Sequence, residues 1–245
     1  QVLTAGHQLS SVYFEGVGGD AGRWDVLDKI NIGYSLTLDN EAEVHFYDTI
    51  NGTSSLYAYI RNSSSFYMEG GPFLSSNANS TFTINSGSLY TNGYKIRMGQ
   101  FRVAHSPAND PILVYASTSR IEVGASGSTE SWEVEYKSAL DDLRFDSTYI
   151  YLGGEDWGNT SLKYFRSYNS PLAYNVVEFG GVINNYFQKG DGWSELGVDN
   201  CTFKKVLFSD IVPNDNYMYT SNTIDTLIII GKSSTNILEG LKTQT

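Results

Sequence analysis

The chain has 245 residues, 16 Lys and Arg against 27 Asp and Glu, and a formal charge of −11. That surplus repels phosphate backbones and argues against nucleic acid as a partner, and Lys204-Lys205 is the only adjacent basic pair. No apolar run approaches the roughly 20 residues a membrane-spanning helix needs, so membrane insertion is not expected.

The 24 glycines, 18 tyrosines and abundant Ser, Thr and Asn suit short strands joined by tight turns in one continuous all-β domain. The chain opens on Gln1, so a processed product or a fragment is expected, and signal cleavage with export is the simpler account. Residues 1–30 include Gly16 to Asp25 (GVGGDAGRWD), which alternates little and reads as an N-terminal cap or connecting loop. Residues 31–245 read as the repeat domain. Alternating strands are expected at Ser35–Leu38, Glu43–Phe46, Leu56–Ile60, Phe66–Met68, Thr81–Ile84 and Tyr94–Met98. Others follow at Ile112–Tyr115, Arg120–Val123, Leu143–Phe145 and Tyr149–Leu152. The best helical candidate, Glu130 to Leu143, alternates like a strand in its first half, so at most one helical turn is expected near Ala139.

Three later segments rhyme. Asn175 opens NVVEF, Asn200 opens NCTFKKVLF and Asn222 opens NTIDTLIII, so an Asn-plus-strand unit recurs twice at nearly equal steps. A period of that size marks stacked units that cannot bury an apolar face alone. The fold it predicts is a right-handed parallel β-helix of about ten coils of about 24 residues, its N-terminal part irregular or capping, and near 45 Å long at about 4.8 Å per coil. Val177, Phe203, Val206, Ile224 and Leu227 are expected to face inward in register. Cys201, the single cysteine, is expected in the core, and Leu227 to Ile230 (LIII) reads as a buried strand.

The stretch Ser80 to Phe101 (STFTINSGSLYTNGYKIRMGQF) resembles a recurring coil of parallel β-helix proteins: a strand, Ser-Gly, Asn-Gly-Tyr, a second strand and Gly-x-Phe. The likeness continues through Ser117–Val123, Leu143–Gly154, Leu172–Gly181 and Cys201–Phe208, about two-thirds of the chain, and is poor over residues 1–75. It is similar to repeat modules of large secreted Bacteroidota surface proteins and of fibre-like phage proteins. The resemblance implies an extracellular structural or adhesive module, partnered by neighbouring modules or subunits of a larger assembly. It also implies an O-glycosylation signal, matched at Thr49, Ser147 and Thr226.

Chemistry-bearing residues are sparse. The adjacent carboxylates Asp141 and Asp142 point to opposite faces if extended, and His7, His45 and His105 lie far apart without ligand spacing. An acidic chain offers oxygens for Ca2+ around Asp20 and Asp25, yet no D-x-D-x-D-G loop is present and no other cofactor is expected. Trp24, Trp157 and Trp193 sit in Gly- and acid-rich stretches, the last two beside Asp156 and Asp191. Such indoles either stack on sugar rings or fold back over a coil corner. Asn51, Asn62, Asn79, Asn159 and Asn200 open N-x-S/T sequons. A non-enzymatic adhesive module, with a glycan as the candidate ligand, is the leading expectation. The alternative is a carbohydrate-active β-helix enzyme, a polysaccharide hydrolase or lyase.

Overall fold

Short alternating runs become strands, and each strand becomes one step of a parallel stack. The structure, a computed structural model, describes residues 7–16, 22–104, 110–124, 131–135, 140–153, 163–168, 172–180, 185–188, 201–209, 215–219, 222–230 and 235–239. Among them every ladder between strands is parallel, and no helix occurs.

The described strands make ten rungs. The first is β1 (Gln8–Glu15); the second holds β2 (Arg23–Val26) and β3 (Ile30–Asp39); the third holds β4 (Glu43–Phe46), β5 (Ile50–Gly52) and β6 (Tyr57–Ile60). Next come β7 (Ser65–Met68), β8 (Phe73–Ser75) and β9 (Thr81–Ile84), then β10 (Gly87–Tyr90), β11 (Ile96–Met98) and β12 (Gln100–Val103). The sixth rung is β13 (Ile112–Tyr115), β14 (Arg120–Val123) and β15 (Trp132–Glu135); the seventh is β16 (Asp142–Leu152) and β17 (Lys163–Tyr168). The last three are β18 (Ala173–Phe179) with β19 (Asn185–Gln188), β20 (Thr202–Phe208) with β21 (Asp215–Tyr219), and β22 (Thr223–Ile229) with β23 (Thr235–Glu239).

These rungs form three faces. The first stacks β2, β4, β7, β10, β13 and the start of β16. The second runs from the start of β3 through β5, β8, β11 and β14 to the later half of β16, then β18, β20 and β22. The third stacks the end of β3 with β6, β9, β12, β15, β17, β19, β21 and β23. β1 pairs along the whole of β3, covering two faces at once, so the parallel ladders reach into the segment expected to cap the domain.

The core sits inside the coil as columns, because in-register parallel strands place equivalent residues one above the other. One column on the second face passes from Ile30 through Ile50, Phe73, Ile96, Ile121, Ile150, Val177 and Val206 to Leu227, one coil of chain per step. On the third face Phe82, Phe101, Trp132 and Phe165 stack at centroid separations of 5.9, 4.7 and 5.8 Å. Each fully buried side chain of this size contributes roughly 1.5–3 kcal/mol of transfer free energy.

Corners are turned by residues in the left-handed region. Asn40 and Glu41 lead from the third face to the first at φ 53° and 63°, and Asn62 and Ser63 repeat the turn one rung on at 49° and 58°. At the next rung Gly87 takes the corner at φ 100°, where an added Cβ would lie 2.1 Å from the Ser64 carbonyl oxygen, so only glycine fits.

Three expectations need correction. The Asn-led segments do pair strand to strand, but their asparagines are not equivalent. Tyr174 lies over Phe203 and then Ile224, a longer step followed by a shorter one, so Asn175 falls beside Lys204 while Asn222 falls beside Cys201. Inward apolar residues align the rungs, and the corners absorb the unequal lengths. Second, Leu227 to Ile230 is not a buried strand: Leu227 and Ile228 are half-buried, and Ile229 and Ile230 are 38% and 54% exposed. Third, the Arg-Trp-Asp end of the supposed Gly16–Asp25 loop is strand, with Trp24 alternating inward beside Val44.

Val177, Phe203 and Val206 are buried as expected, and Ile224 and Leu227 are half-buried against the same core. Cys201 is buried, as expected, and forms no disulfide.

Candidate functional site

On the first face the outward column reads Asp25, His45, Tyr67, Tyr90, Tyr115, Arg144. Rung spacing brings these flat side chains into contact. His45 stacks on Tyr67 at 4.3 Å, Tyr67 on Tyr90 at 4.5 Å and Tyr90 on Tyr115 at 5.0 Å, and the Arg144 guanidinium lies 4.9 Å from the Tyr115 centroid. The ring faces are occupied by one another, leaving edges and hydroxyls outward. His45 is held from both sides, Nε2 at 2.7 Å from Glu43 Oε1 and Nδ1 at 2.9 Å from Glu69 Oε1. Burial, with Tyr90 and Glu43 nearby, raises the Tyr67 phenol above its ordinary value. The Tyr115 hydroxyl donates to Asp142 at 2.9 Å, which raises the phenol, and Arg144 donates to the same carboxylate and holds it low.

The second face carries a carboxylate hub. Burial raises the Glu122 carboxyl, but Lys95 Nζ at 2.7 Å and Arg120 Nε at 2.7 Å outweigh it and the net shift is downward. Arg120 also lies over Tyr149 and Tyr151, and the Tyr149 hydroxyl donates to Glu178.

The third face differs. Its outward column alternates Tyr13, Thr37, Tyr59, Thr83 before reaching Arg102, which pairs with Glu133 at 2.8 Å. A threonine on the intervening rung separates Tyr13 from Tyr59 by two rungs, about 10 Å. Tyr13 is 51% exposed and Tyr34, edge-on to Tyr57 at 5.5 Å, is 59% exposed. Ser35, Thr37, Thr81 and Gln100 surround the rings with uncharged donors and acceptors. The Tyr13 hydroxyl donates to Asp39, which also accepts from Arg61 and Asn62 at the corner. An open polar depression of about 510 Å3 follows that corner, lined by Glu15, Asn40, Glu41, Asn62, Ser63 and Asp110. Exposed rings beside an oxygen-rich hollow can stack on apolar sugar faces and bond their hydroxyls.

Asp141 and Asp142 part company: Asp141 is buried and accepts from the Ile112 amide at 2.9 Å, while Asp142 faces out to Arg144 and Tyr115. Among the described residues no group of three His, Cys, Asp or Glu side chains is arranged to hold a metal ion, and Asp25 is bound by Arg23 at 3.1 Å. The structure does not put Trp24 in a loop. Its ring lies in β2, 5.7 Å from Phe14 and packed on the core, with a buried indole N–H that finds no acceptor among the described residues. Trp157, Asp156, Trp193, Asp191, Asp20 and His105 lie outside the described residues. Ser147 and Thr226 are exposed and Thr49 is half-buried.

Sequence reasoning overlooked both tyrosine arrays. A signal was present: Tyr67, Tyr90 and Tyr115 recur once per coil, at the period of the solenoid itself. For the Tyr13–Tyr59 array no such signal existed, since its two tyrosines are two coils apart. Comparison of the chain with protein-family models, with curated proteins and with solved structures finds no match.

Proposed function

We propose that this chain is a non-enzymatic structural and adhesive module of an extracellular surface protein or fibre, and that its third face binds an extended glycan along the solenoid axis. The observation that carries this reading is the Tyr13, Thr37, Tyr59, Thr83 column, whose tyrosines are separated by small residues instead of by one another. Stacked rings on the first face offer a ligand only edges, whereas separated rings offer faces. Divergence of Asp141 from Asp142 supports the non-enzymatic part, because glycoside cleavage needs two carboxyl groups aimed at one bond. Exposure of Ser147 and Thr226 suits them to carry O-glycans. Trp157 and Trp193, with Asp156 and Asp191, are further ligand candidates under the same reading.

A glycan array with the purified chain tests it. Tyr13→Ala and Tyr59→Ala should each weaken binding several-fold, on the order of 1 kcal/mol per ring, and Tyr13→Phe, which keeps the ring and loses only the hydrogen bond to Asp39, should lower stability and leave binding intact. Binding that is indifferent to both alanine changes, or that no glycan elicits, overturns the third-face site.

A further inference from the structure

Outward side chains on the third face form two columns side by side, one of Ser11, Ser35, Tyr57, Thr81 and Gln100 and one of Tyr13, Thr37, Tyr59 and Thr83. Along the second column a ring recurs every second rung, about 10 Å. On this face the rung between Tyr13 and Tyr59 carries Ser35 and Thr37, so no side chain as tall as a ring stands between them. The Tyr13 hydroxyl donates to Asp39 on that intermediate rung, so its ring leans into the stack and not away from it. Tyr59 is half-buried and has described rungs on both sides.

We propose that the third face takes a neutral β-1,4-linked glycan, an extended pyranose ribbon of the gluco, manno or xylo series, with Tyr13 and Tyr59 stacked under sugars two apart. The inference rests on the glycan reading above and narrows it to one linkage and one charge class. Pyranoses joined through equatorial bonds at C1 and C4 enter and leave each ring on opposite sides, so the chain runs straight. Successive sugars are turned over, and every second one presents the same apolar face to the same side. One such sugar spans about 5 Å between its linking oxygens, about one rung, so the two-sugar repeat keeps step with the tyrosines. The sugar between them lies over Ser35 and Thr37, whose hydroxyls both donate and accept. An axial bond at C1, as in an α-1,4 chain, or a 1,3 linkage bends the backbone into a helix, and sugars two apart then face different ways.

Charge narrows the class further. The hollow beyond Tyr13 is lined by Glu15, Glu41 and Asp110, and the chain carries a formal charge of −11. Arg61 at the same corner is paired with Asp39 at 2.7 Å, and Arg102, next in the column after Thr83, is paired with Glu133 at 2.8 Å. A uronate chain of the same linkage would bring a carboxylate to every rung against that field.

Isothermal titration calorimetry of the purified chain tests it, with β-1,4 oligomers of glucose and mannose, α-1,4 and β-1,3 oligomers of glucose, and β-1,4 oligomers of mannuronate. The neutral β-1,4 hexamers should bind several-fold tighter than the α-1,4 and β-1,3 hexamers. Affinity should step up several-fold from the disaccharide to the trisaccharide, the shortest chain that reaches both rings; Tyr13→Ala should remove the step and Tyr13→Phe should keep it. The mannuronate hexamer should bind more weakly than the mannose hexamer, by a margin that narrows as salt rises. Equal affinity across the linkages, or a wild-type chain without the two-to-three step, overturns the ribbon and leaves a glycan site standing. Mannuronate bound as tightly as mannan overturns the neutral class. Oligomers that all fail while the array scores another glycan overturn this inference alone, and a blank array overturns it together with the reading on which it rests.

Discussion

Tyr67 and Tyr90 stack with centroids 4.5 Å apart and ring planes within 1° of parallel, although a full coil of chain separates them in sequence. Tyr90 is sandwiched again by Tyr115 at 5.0 Å on its other side. Removing its ring breaks two stacks at once. Tyr90→Ala should therefore cost about 1–3 kcal/mol of stability, read by urea unfolding, and leave glycan binding unchanged. The opposite pattern, lost binding at full stability, would move the ligand to the first face.

Phe203 is fully buried, stacked on Tyr174 at 5.2 Å and near Phe165 at 5.9 Å, in register with Ile224 on the next rung. Truncation to alanine leaves a cavity among rings that cannot collapse, and should cost roughly 3–5 kcal/mol. Ile224→Ala, at a side chain only half-buried against the same core, should cost clearly less. Thermal melts of the two variants compare these directly; equal losses would contradict the half-buried setting of Ile224.

Acid sensitivity is expected from Asp39. Burial raises its carboxyl, but hydrogen bonds from Tyr13, Asn62 and the Asn40 amide, with the Arg61 charge, outweigh burial and leave it lowered in the fold. A depressed carboxylate stabilises the fold above its unfolded pKa of about 3.9, and that contribution is lost as pH falls through the lower folded value. Unfolding free energy measured from pH 6 to pH 2 should fall across that window, and Asp39→Asn should flatten the fall. The folded Tyr13 phenol is raised, by its bond to Asp39 first, so the same corner resists deprotonation at alkaline pH.

Cys201 supplies a probe without mutation. Its thiol is buried beside Ser167, 3.6 Å from the hydroxyl. A chromogenic disulfide reagent should leave the native chain unmodified and titrate one thiol in denaturant. Rapid native labelling would show that the eighth and ninth rungs open readily.

The Asp141–Asp142 pair separates module from enzyme. Asp142→Asn weakens the clamp of Arg144 and Tyr115, an exposed surface interaction worth little. The chain should be inactive on a broad polysaccharide panel, and either Asp→Asn change should leave binding intact. Turnover abolished by one of them would restore the hydrolase alternative.

Alternation alone was enough to mark the strands at Glu43–Phe46, Thr81–Ile84, Ile112–Tyr115 and Arg120–Val123 at their observed bounds, because side-chain period two and turn residues are local properties. The period of the Asn-led segments likewise revealed a stack of about ten rungs. Strands such as Phe73–Ser75 and Gly87–Tyr90 escaped that reading, being short and held by rungs above and below instead of by their own pattern. The register could not be read from the asparagines either, since corners of unequal length place Asn175 and Asn222 at different points of the coil. What a residue can do was decided only by its neighbours one rung away: Trp24 turns into the core, Tyr90 spends its faces on Tyr67 and Tyr115, and Tyr13 keeps its ring exposed over Thr37. Composition and period determine that a solenoid forms. Which surfaces remain open depends on pairs a whole coil apart in sequence, brought together only when the coils stack in one register.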